Sequence, residues 1–566
     1  MNTSTNILIG GEAGQGLVTI GELLSKVLVR AGYNIVVTQS YQSRVRGGHN
    51  TFAIRVSDKE ISAPKESVDI LVALNEETVN IHKASVAKEG IVISSDKFKS
   101  GEGVLRPIKV PYEKFGSAKL ENVASLGVVC SILGVEKGHI LKLLNDRFGK
   151  KGSTIAKDNE NMLNASYDWA AGQNIVFNKS PKVKTDKERY MMNGNEAIAL
   201  GAISAGVKFA AFYPMTPSTS VNLSLISHAK ETGMVVEQAE DEIAAINMAI
   251  GASYAGAPSM VATSGGGFAL MVEGASLAGM TETPVVVVVA QRPGPATGLP
   301  TRTEQADLEF VLYSGHGEFP RAIFTPGTVE ECFHLTRRAF ELAEKYQGPV
   351  FILTDQYLAD SFRAVDKFDG NLSRVKAGVA ASEVKAPYMR YALTDNGISP
   401  RLIPGSSKHL VVAGSDEHTE GGHLTEDLDA RVKMVDKRLK KMEGLSKEVS
   451  QPEYFGDASP DKLFISFGSA YGAALEAVKS LNEKGGETAL LNFSQVWPLV
   501  PSTFIDKLNS AKEVVAIEGN ATGQLAGLIR KTTGFEIKNK ILRYDGLPIT
   551  PEYILNRLAH GEPVEP

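Results

Sequence analysis

Cysteine is almost missing from this chain. Among its 566 residues only Cys130 and Cys332 occur, far apart and each among apolar neighbours. Two thiols cannot make a disulfide framework, and an iron–sulfur cluster needs about four thiolates. Any cluster that works with this chain is therefore expected on another one. Long apolar runs are missing too: stretches such as Pro284–Ala290 fall far short of the roughly 18 residues that a bilayer span needs. The opening MNTSTNILIGGEAGQG has neither a basic stretch nor a cleavage site, so a cytoplasmic location is expected. Charge of one sign is also lacking, since 60 Lys and Arg stand against 65 Asp and Glu for a net −5. That balance provides no electrostatic reason for nucleic acid as a partner. Neither a short-period repeat nor a low-complexity tract is present. His409, His418 and His423 form no metal-ligand motif, so they read as surface loop and no metal site is expected on this chain.

What is present is ordinary globular material, 43% hydrophobic and 22% charged, in a length that implies about three or four folding units. The strand NILIG from Asn6, a glycine-rich turn and a helix with apolar positions Leu17, Ile20, Leu23, Leu24, Val27 and Leu28 form a βα unit. Strands at 34–38, 51–56, 70–73 and 91–94 extend it into an α/β domain over 1–178. The charged stretch KSPKVKTDKER lies within a linker at 179–193. A second α/β run over 194–375 places short strands at 209–213, 234–237, 259–263, 285–290 and 350–354 between helices, which predicts a doubly wound parallel sheet covered on both faces. Residues 376–458 read as a connecting segment, with a helix whose apolar positions are Leu428, Val432, Val435, Leu439 and Met442. A third α/β unit occupies 459–566.

Several turns carry residue types suited to chemistry. Gly11-Glu-Ala-Gly-Gln-Gly16 joins a strand to a helix with small residues that let backbone amides approach an anion. It lacks the Lys and Ser/Thr of a nucleotide-hydrolysing loop and the dinucleotide glycine spacing, so a tight turn and a phosphate cradle both remain open. SRVRGGHN adds Arg44 and Arg46 beside Gly47 and Gly48, a pattern fit for a polyphosphate or for a solvated basic loop. Tyr213-Pro-Met-Thr-Pro-Ser-Thr219 puts hydroxyls at the carboxyl edge of the second sheet, as helix caps or as ligands. Glu240, Asp241 and Glu242 precede a helix of unusually small residues, IAAINMAIGASYAGA; acids there offset a helix dipole, yet the tight packing suggests that one of them is desolvated. SGGGFALMVEG opens another helix, and QRPGPATGLPTR after the buried strand PVVVVVA can hold Arg292 and Thr297 in a rigid frame, Arg292 as a bidentate carboxylate clamp.

In this order, these pieces resemble the alpha subunit of a 2-oxoacid:ferredoxin oxidoreductase, in the form where a gamma domain is fused ahead of the alpha domains. GGEAGQG, SRVRGGHN, GNEAIALGAISAGVKFAAFYPMTPST, EQAEDEIAAINMAIGASYAG, SGGGFALMVEG, QRPGPATGLPT, LLNFSQVWPLVP and AIEGNATGQLAGLIR carry the resemblance over nearly the whole chain. It implies a gamma-type domain associated with coenzyme A, a transketolase-like domain holding the pyrimidine half of thiamine diphosphate, and a transketolase C-terminal-like domain. It also implies that Glu242, with Glu240 as the fallback, is the carboxylate that promotes the imino tautomer of the aminopyrimidine. Thr216 and Arg292 become substrate contacts, with Thr297 near the keto oxygen, and Gly14, Gly16, Arg44 and Arg46 contacts of coenzyme A.

A G-D-G followed by Asn some thirty residues on, which would hold magnesium and the diphosphate, is missing from the chain. The resemblance therefore places Mg2+ and a [4Fe-4S] cluster on a partner beta subunit, in an (alpha-beta)2 assembly that is active only when both chains are present. The implied reaction turns a 2-oxoacid and coenzyme A into acyl-CoA and CO2, with electrons passed to ferredoxin. The DEHTEGG segment resembles the 2-oxoglutarate subgroup, with pyruvate or broad 2-oxoacid use as the alternative. Two further readings are a transketolase-like thiamine protein, against which SRVRGGHN and the position of the QRPG loop argue, and a non-catalytic acyl-CoA or nucleotide-binding scaffold.

Overall fold

A computed structural model gives the structure of the chain and describes residues 4–41, 48–99, 106–117, 120–148, 153–177, 189–370 and 372–560. Its contacts separate two compact units. The first comprises Met1–Met192, Asp360–Phe368 and Thr550–Tyr553; the second comprises Asn193–Ala359, Asp369–Ile549 and Ile554–Pro566. Most of the expected linker, 179–188, lies outside the described residues.

The first unit is built on an eight-stranded mixed sheet in the order Pro107–Val110, Val86–Ser95, Val68–Ala73, Ser4–Glu12, His49–Ser57, Asn34–Ser40, Arg363–Val365, Tyr190–Met192. Ser4–Glu12 is central, parallel to Val68–Ala73 and antiparallel to His49–Ser57. Both of its edges are therefore paired, which suits its almost unbroken burial. All six apolar positions expected on helix Leu17–Arg30 are buried, and each such aliphatic side chain contributes about 1.5–3 kcal/mol relative to exposure. Arg363–Val365 joins this sheet beside Asn34–Ser40, a placement that a three-residue strand has too little pattern to announce.

The second unit holds two sheets. Seven strands run in the order Gln495–Trp497, Ala322–Phe324, Pro349–Asp355, Val285–Gln291, Ser259–Thr263, Phe209–Phe212, Val235–Gln238, all parallel except the edge strand Gln495–Trp497. The chain moves from Phe209–Phe212 to one neighbour, Val235–Gln238, and then crosses to the other, Ser259–Thr263. That reversal is a topological switch point, and ligands of open α/β sheets bind in the crevice that it leaves at the carboxyl ends of the strands.

The other sheet, in the order Glu453–Gly456, Thr488–Phe493, Lys462–Phe467, Glu513–Glu518, Asn539–Leu542, is parallel except at Glu453–Gly456. The two sheets share one continuous hydrophobic core running from Val285, Val287 and Val289 to Leu463, Ile465 and Phe467.

Helix Leu428–Lys447 forms, but its buried face is not the one that its apolar spacing suggests. Leu428 and Val432 are 80% and 59% exposed, while Met434, Lys437, Arg438, Lys441 and Leu445 are buried. The reason is ion pairing. Lys437 and Lys441 reach the buried carboxylate of Glu282, and Arg438 reaches Glu417; their aliphatic stems supply the packing that an apolar side chain would otherwise provide.

Candidate active site

Four connections leave the carboxyl edge of the seven-stranded sheet around the switch point. After Phe209–Phe212, the turn 213–218 leads into helix Thr219–Thr232. Asn195 pins this turn by donating to the Pro217 carbonyl at 2.8 Å and to Ser220 Oγ at 2.6 Å, and Ser218 Oγ donates to the Met215 carbonyl at 2.8 Å. The hydroxyl of Ser218 is thus used inside the turn, and Thr216 is held at its rim.

The acidic cluster before helix Glu242–Tyr254 divides its labour. Glu240 is exposed. Asp241 is the N-cap, accepting from the Ala244 amide at 2.7 Å, and so satisfies the helix end. Glu242 is left 3% exposed, with its Oε1 buried and without a hydrogen-bond partner. Leaving a buried carboxylate oxygen unpaired costs more than one neutral hydrogen bond returns, and this oxygen is open to a further hydrogen-bond partner.

Its neighbour explains the triple glycine after Ser259–Thr263. A Cβ on Gly267 would lie 2.1 Å from Thr263 Oγ1 and 2.7 Å from Glu242 Oε1, so only glycine leaves this space open. Thr263 Oγ1 and Ser264 Oγ are likewise buried and unpaired, and Ser264 makes no side-chain cap to helix Gly265–Met280. The residues present fit the aminopyrimidine of thiamine diphosphate: an orphan carboxylate oxygen beside a glycine-floored gap at a switch point. Among the described residues no group of three or more metal-ligating side chains occurs.

The fourth connection follows Val285–Gln291. Arg292 donates from Nη1 to the Thr216 carbonyl at 2.7 Å, and its Nε is buried without a partner. Anchoring Nη1 leaves the Nε edge of the planar guanidinium for a two-point contact with a carboxylate. Thr216 and Arg292 therefore meet, through the Thr216 backbone rather than its hydroxyl. Thr297 is exposed at the tip of the loop, apart from that contact.

Asp307, which sequence reasoning passed over, closes the loop. Its amide donates to Gln291 Oε1 at 2.9 Å, and a Cβ on Gly265 would lie 2.2 Å from its Oδ2. Burial pushes the Asp307 carboxyl up to about 6 against the pull of Arg292, and burial lowers the Arg292 guanidinium while Asp307 opposes it. The only sequence signal was one acid fifteen positions downstream of an arginine, too common a pattern to single out.

In the first unit, Gly14 and Gly16 have φ of 98° and 76°, and Gly16 is the N-cap of helix Leu17–Arg30. Both occupy backbone that other residues adopt at a cost. Gln15 folds back between them, accepting from the Glu12 amide at 2.7 Å and donating to the Leu74 carbonyl at 3.3 Å. Arg44 and Arg46 lie outside the described residues. Beside the turn, His49 pairs with Glu12 across the strands, and its Nε2 is 2.7 Å from His82 Nε2. Burial and the neighbouring His49 hold His82 down at about 4. This pair had no sequence signal, its members being 33 residues apart.

Comparison with known proteins matches residues 6–169 to the family described as pyruvate ferredoxin/flavodoxin oxidoreductase. Residues 200–437 match the family described as pyruvate flavodoxin/ferredoxin oxidoreductase, thiamine diP-bdg. A 2-oxoacid:ferredoxin oxidoreductase subunit alpha from Sulfolobus is 32% identical over 96% of this chain and 94% of its own length. The 2-oxoglutarate oxidoreductase subunit KorA of Mycobacterium tuberculosis is 29% identical over 93% of this chain and 86% of its own. A solved structure of the 2-oxoglutarate:ferredoxin oxidoreductase from Magnetococcus marinus, with 2-oxoglutarate, coenzyme A and succinyl-CoA bound, is 30% identical. It superposes with a TM-score of 0.93, covering 98% of this chain and 99% of that one.

Proposed function

The chain belongs to the 2-oxoacid:ferredoxin oxidoreductases, as an alpha subunit whose gamma-type region precedes its thiamine diphosphate-binding region; from this premise we propose that its preferred substrate is 2-oxoglutarate. The enzyme of which it is part converts a 2-oxoacid and coenzyme A to acyl-CoA and CO2, and the two electrons released reduce ferredoxin. The cluster that carries those electrons belongs to the beta subunit, since Cys130 and Cys332 are both buried single thiols. Support for 2-oxoglutarate comes from the solved relative, which matches over nearly the whole chain and holds 2-oxoglutarate and succinyl-CoA. Other relatives carry the broader name 2-oxoacid, and pyruvate or mixed use is the alternative.

The observation that carries the assignment of the site is the unpaired Glu242 Oε1 against Gly267. Glu242 would hold the aminopyrimidine of thiamine diphosphate and exchange a proton with it. The bound cofactor supplies a nucleophilic carbon and a sink for the electron pair that decarboxylation leaves. Arg292 would bind the 2-oxoacid carboxylate through Nε and its free edge, oriented by the Thr216 carbonyl, and Thr297 is assigned near the keto oxygen, which its exposed place on the loop requires substrate to reach. The Gly14–Gly16 turn with Arg44 and Arg46 takes the phosphates of coenzyme A.

On this reading 1–178 is the gamma-type domain, 194–375 the pyrimidine-binding domain and 459–566 the transketolase C-terminal-like domain, joined through 179–193 and 376–458. Ile243, Met248 and Leu270, between 42% and 50% exposed on the two helices that flank the site, are suited to cover by the beta subunit in an (alpha-beta)2 assembly.

The test is turnover of the copurified complex on a panel of 2-oxoacids with ferredoxin and coenzyme A. The highest kcat/KM is expected for 2-oxoglutarate; a preference for pyruvate would overturn the substrate assignment.

A further inference from the structure

The loop that carries Arg292 has two feet. At the first, Gln291 donates from Nε2 to the Thr354 carbonyl at 3.1 Å and accepts the Asp307 amide on Oε1. This bond ties the loop's start to its end. At the second, residues 303–307 meet the carboxyl edge of the five-stranded sheet, a part of the unit that contributes none of the candidate catalytic side chains.

Gln305 makes that junction with every hydrogen-bonding group it owns. Its amide donates to the Gly519 carbonyl at 2.6 Å, Nε2 donates to the Phe467 carbonyl at 3.0 Å, Oε1 accepts from the Gly519 amide at 2.9 Å, and its carbonyl accepts from Asn520 Nδ2 at 3.2 Å. The receiving edge is shaped to it. A Cβ on Gly519 would stand 3.0 Å from Gln305 Oε1, and one on Gly468 2.8 Å from its Nε2. At the same edge the Glu518 carboxylate accepts the Leu525 and Ala526 amides of helix Gln524–Thr533 at 3.0 and 2.9 Å. Flanking bonds reinforce the foot: Thr303 Oγ1 to Asp355 Oδ1 at 3.1 Å, and Gln524 Nε2 to the Ala306 carbonyl at 2.7 Å. Residues 294–299, between the feet, are exposed.

We propose that Gln305 is a positioning residue, which through Asp307 and Gln291 sets where Arg292 meets the 2-oxoacid carboxylate, so that the five-stranded sheet determines substrate affinity without touching substrate. The chain of contacts is short. Gln305 fixes Ala306 and Asp307, the Asp307 amide holds the Gln291 side chain, and Gln291 precedes Arg292. Asp307 is also the acid that acts electrostatically on Arg292, so a shifted Asp307 alters both the place and the charge environment of the guanidinium. Displacements on the order of an ångström are enough to cost a positioned group much of its effect.

The inference rests on Arg292 as the carboxylate contact, and the test separates the two. In the complex with its partner subunit, Gln305→Ala is expected to raise KM for the 2-oxoacid roughly tenfold, with KM for coenzyme A changed by less than about twofold. Gly519→Ala, whose methyl presses on Oε1, is the milder variant should Gln305→Ala fold poorly. It is expected to raise the same KM about threefold in the native background and to add nothing when Gln305 is Ala, the non-additivity of two residues acting through one contact. An unchanged 2-oxoacid KM, an equal rise for both substrates, or effects of the two substitutions that multiply would overturn the proposal. If Arg292→Lys leaves KM unchanged while Gln305→Ala raises it, the reading of Arg292 fails and Gln305 remains a determinant of affinity. The reverse result removes Gln305.

Discussion

The two ends of the seven-stranded sheet each bury a glutamate, and they treat it in opposite ways. At the carboxyl end, Glu242 is 3% exposed with an oxygen that bonds to nothing, in company with unpaired Thr263 Oγ1, Ser264 Oγ and Arg292 Nε. At the amino end, Glu282 is 1% exposed and saturated. Lys437 donates to both of its oxygens at 2.6 and 2.8 Å, Lys441 bonds it too, and Arg390 donates to its carbonyl at 2.8 Å and to Gln347 Oε1 at 3.0 Å. Glu282 and Gln347, which lead into the two central strands, have φ of 48° and 53°, left-handed backbone that non-glycine residues adopt only where surroundings hold them. Burial alone therefore does not mark a functional acid. What sets Glu242 apart is an unpartnered oxygen in company with other unpartnered polar atoms at one switch point, whereas the Glu282 charge is held in the interior by its paired lysines.

Breaking the saturated end should have the largest effect. Glu282→Gln leaves two buried lysines, Lys437 and Lys441, without their carboxylate and is expected to destabilise the second unit by about 3–5 kcal/mol, read by chemical denaturation, with kcat of the folded fraction retained. A loss of only a few tenths would mean that the cluster is not what holds helix Leu428–Lys447 in place. Glu242→Gln should reverse that signature. Its kcat is expected to fall on the order of a hundredfold or more with little change in the denaturation midpoint, while Glu240→Gln stays close to the parent; the opposite pattern would transfer the role to Glu240.

Smaller still is Arg292→Lys. An ammonium cannot reproduce a planar two-point contact, so KM for the 2-oxoacid is expected to rise about tenfold and KM for coenzyme A to stay. Equal changes in both would make the loop purely structural.

The two ends also respond oppositely to pH. Burial alone would raise the Glu282 carboxyl, but Lys441, Lys437 and Arg390 together hold it at about 2, below its ordinary 4.5. Its contribution is present above the ordinary value and is lost as pH falls toward 2. Asp307 has the opposite sign. Pushed up by burial to about 6 from 3.8, it keeps its proton longer folded than unfolded, so stability declines as pH rises through that interval. Asp307→Asn is accordingly expected to raise the denaturation midpoint at pH 7 and to leave it unchanged near pH 3, whereas a gain that persists at pH 3 would show that charge is not the cause.

Where the apolar pattern is strong and local, the fold was legible. Strand Ser259–Thr263 occurs at the bounds expected for it, and helix Leu17–Arg30 buries all six expected residues. The buried face of helix Leu428–Lys447 was not legible, because Lys437 and Lys441 look like a solvated face until Glu282, 155 residues from Lys437, is placed beside them. Asp307 and Gln305 gave no local sign either, since a loop acid and a loop glutamine are ordinary residues until their neighbours are known.

Motif order and hydrophobic period, both properties of the linear chain, were enough by themselves to determine the α/β class, most strands and helices, and the family. Which polar groups are left open and which are closed was decided only by the tertiary structure. Glu242 is distinguished from Glu240 and Asp241 by what packs around Gly267, and Gln305 acquires its role from Gly519, 214 residues on. The physical reason is that a helix or strand forms from interactions a few residues long, whereas desolvation and hydrogen-bond satisfaction depend on atoms that only folding brings within a few ångströms.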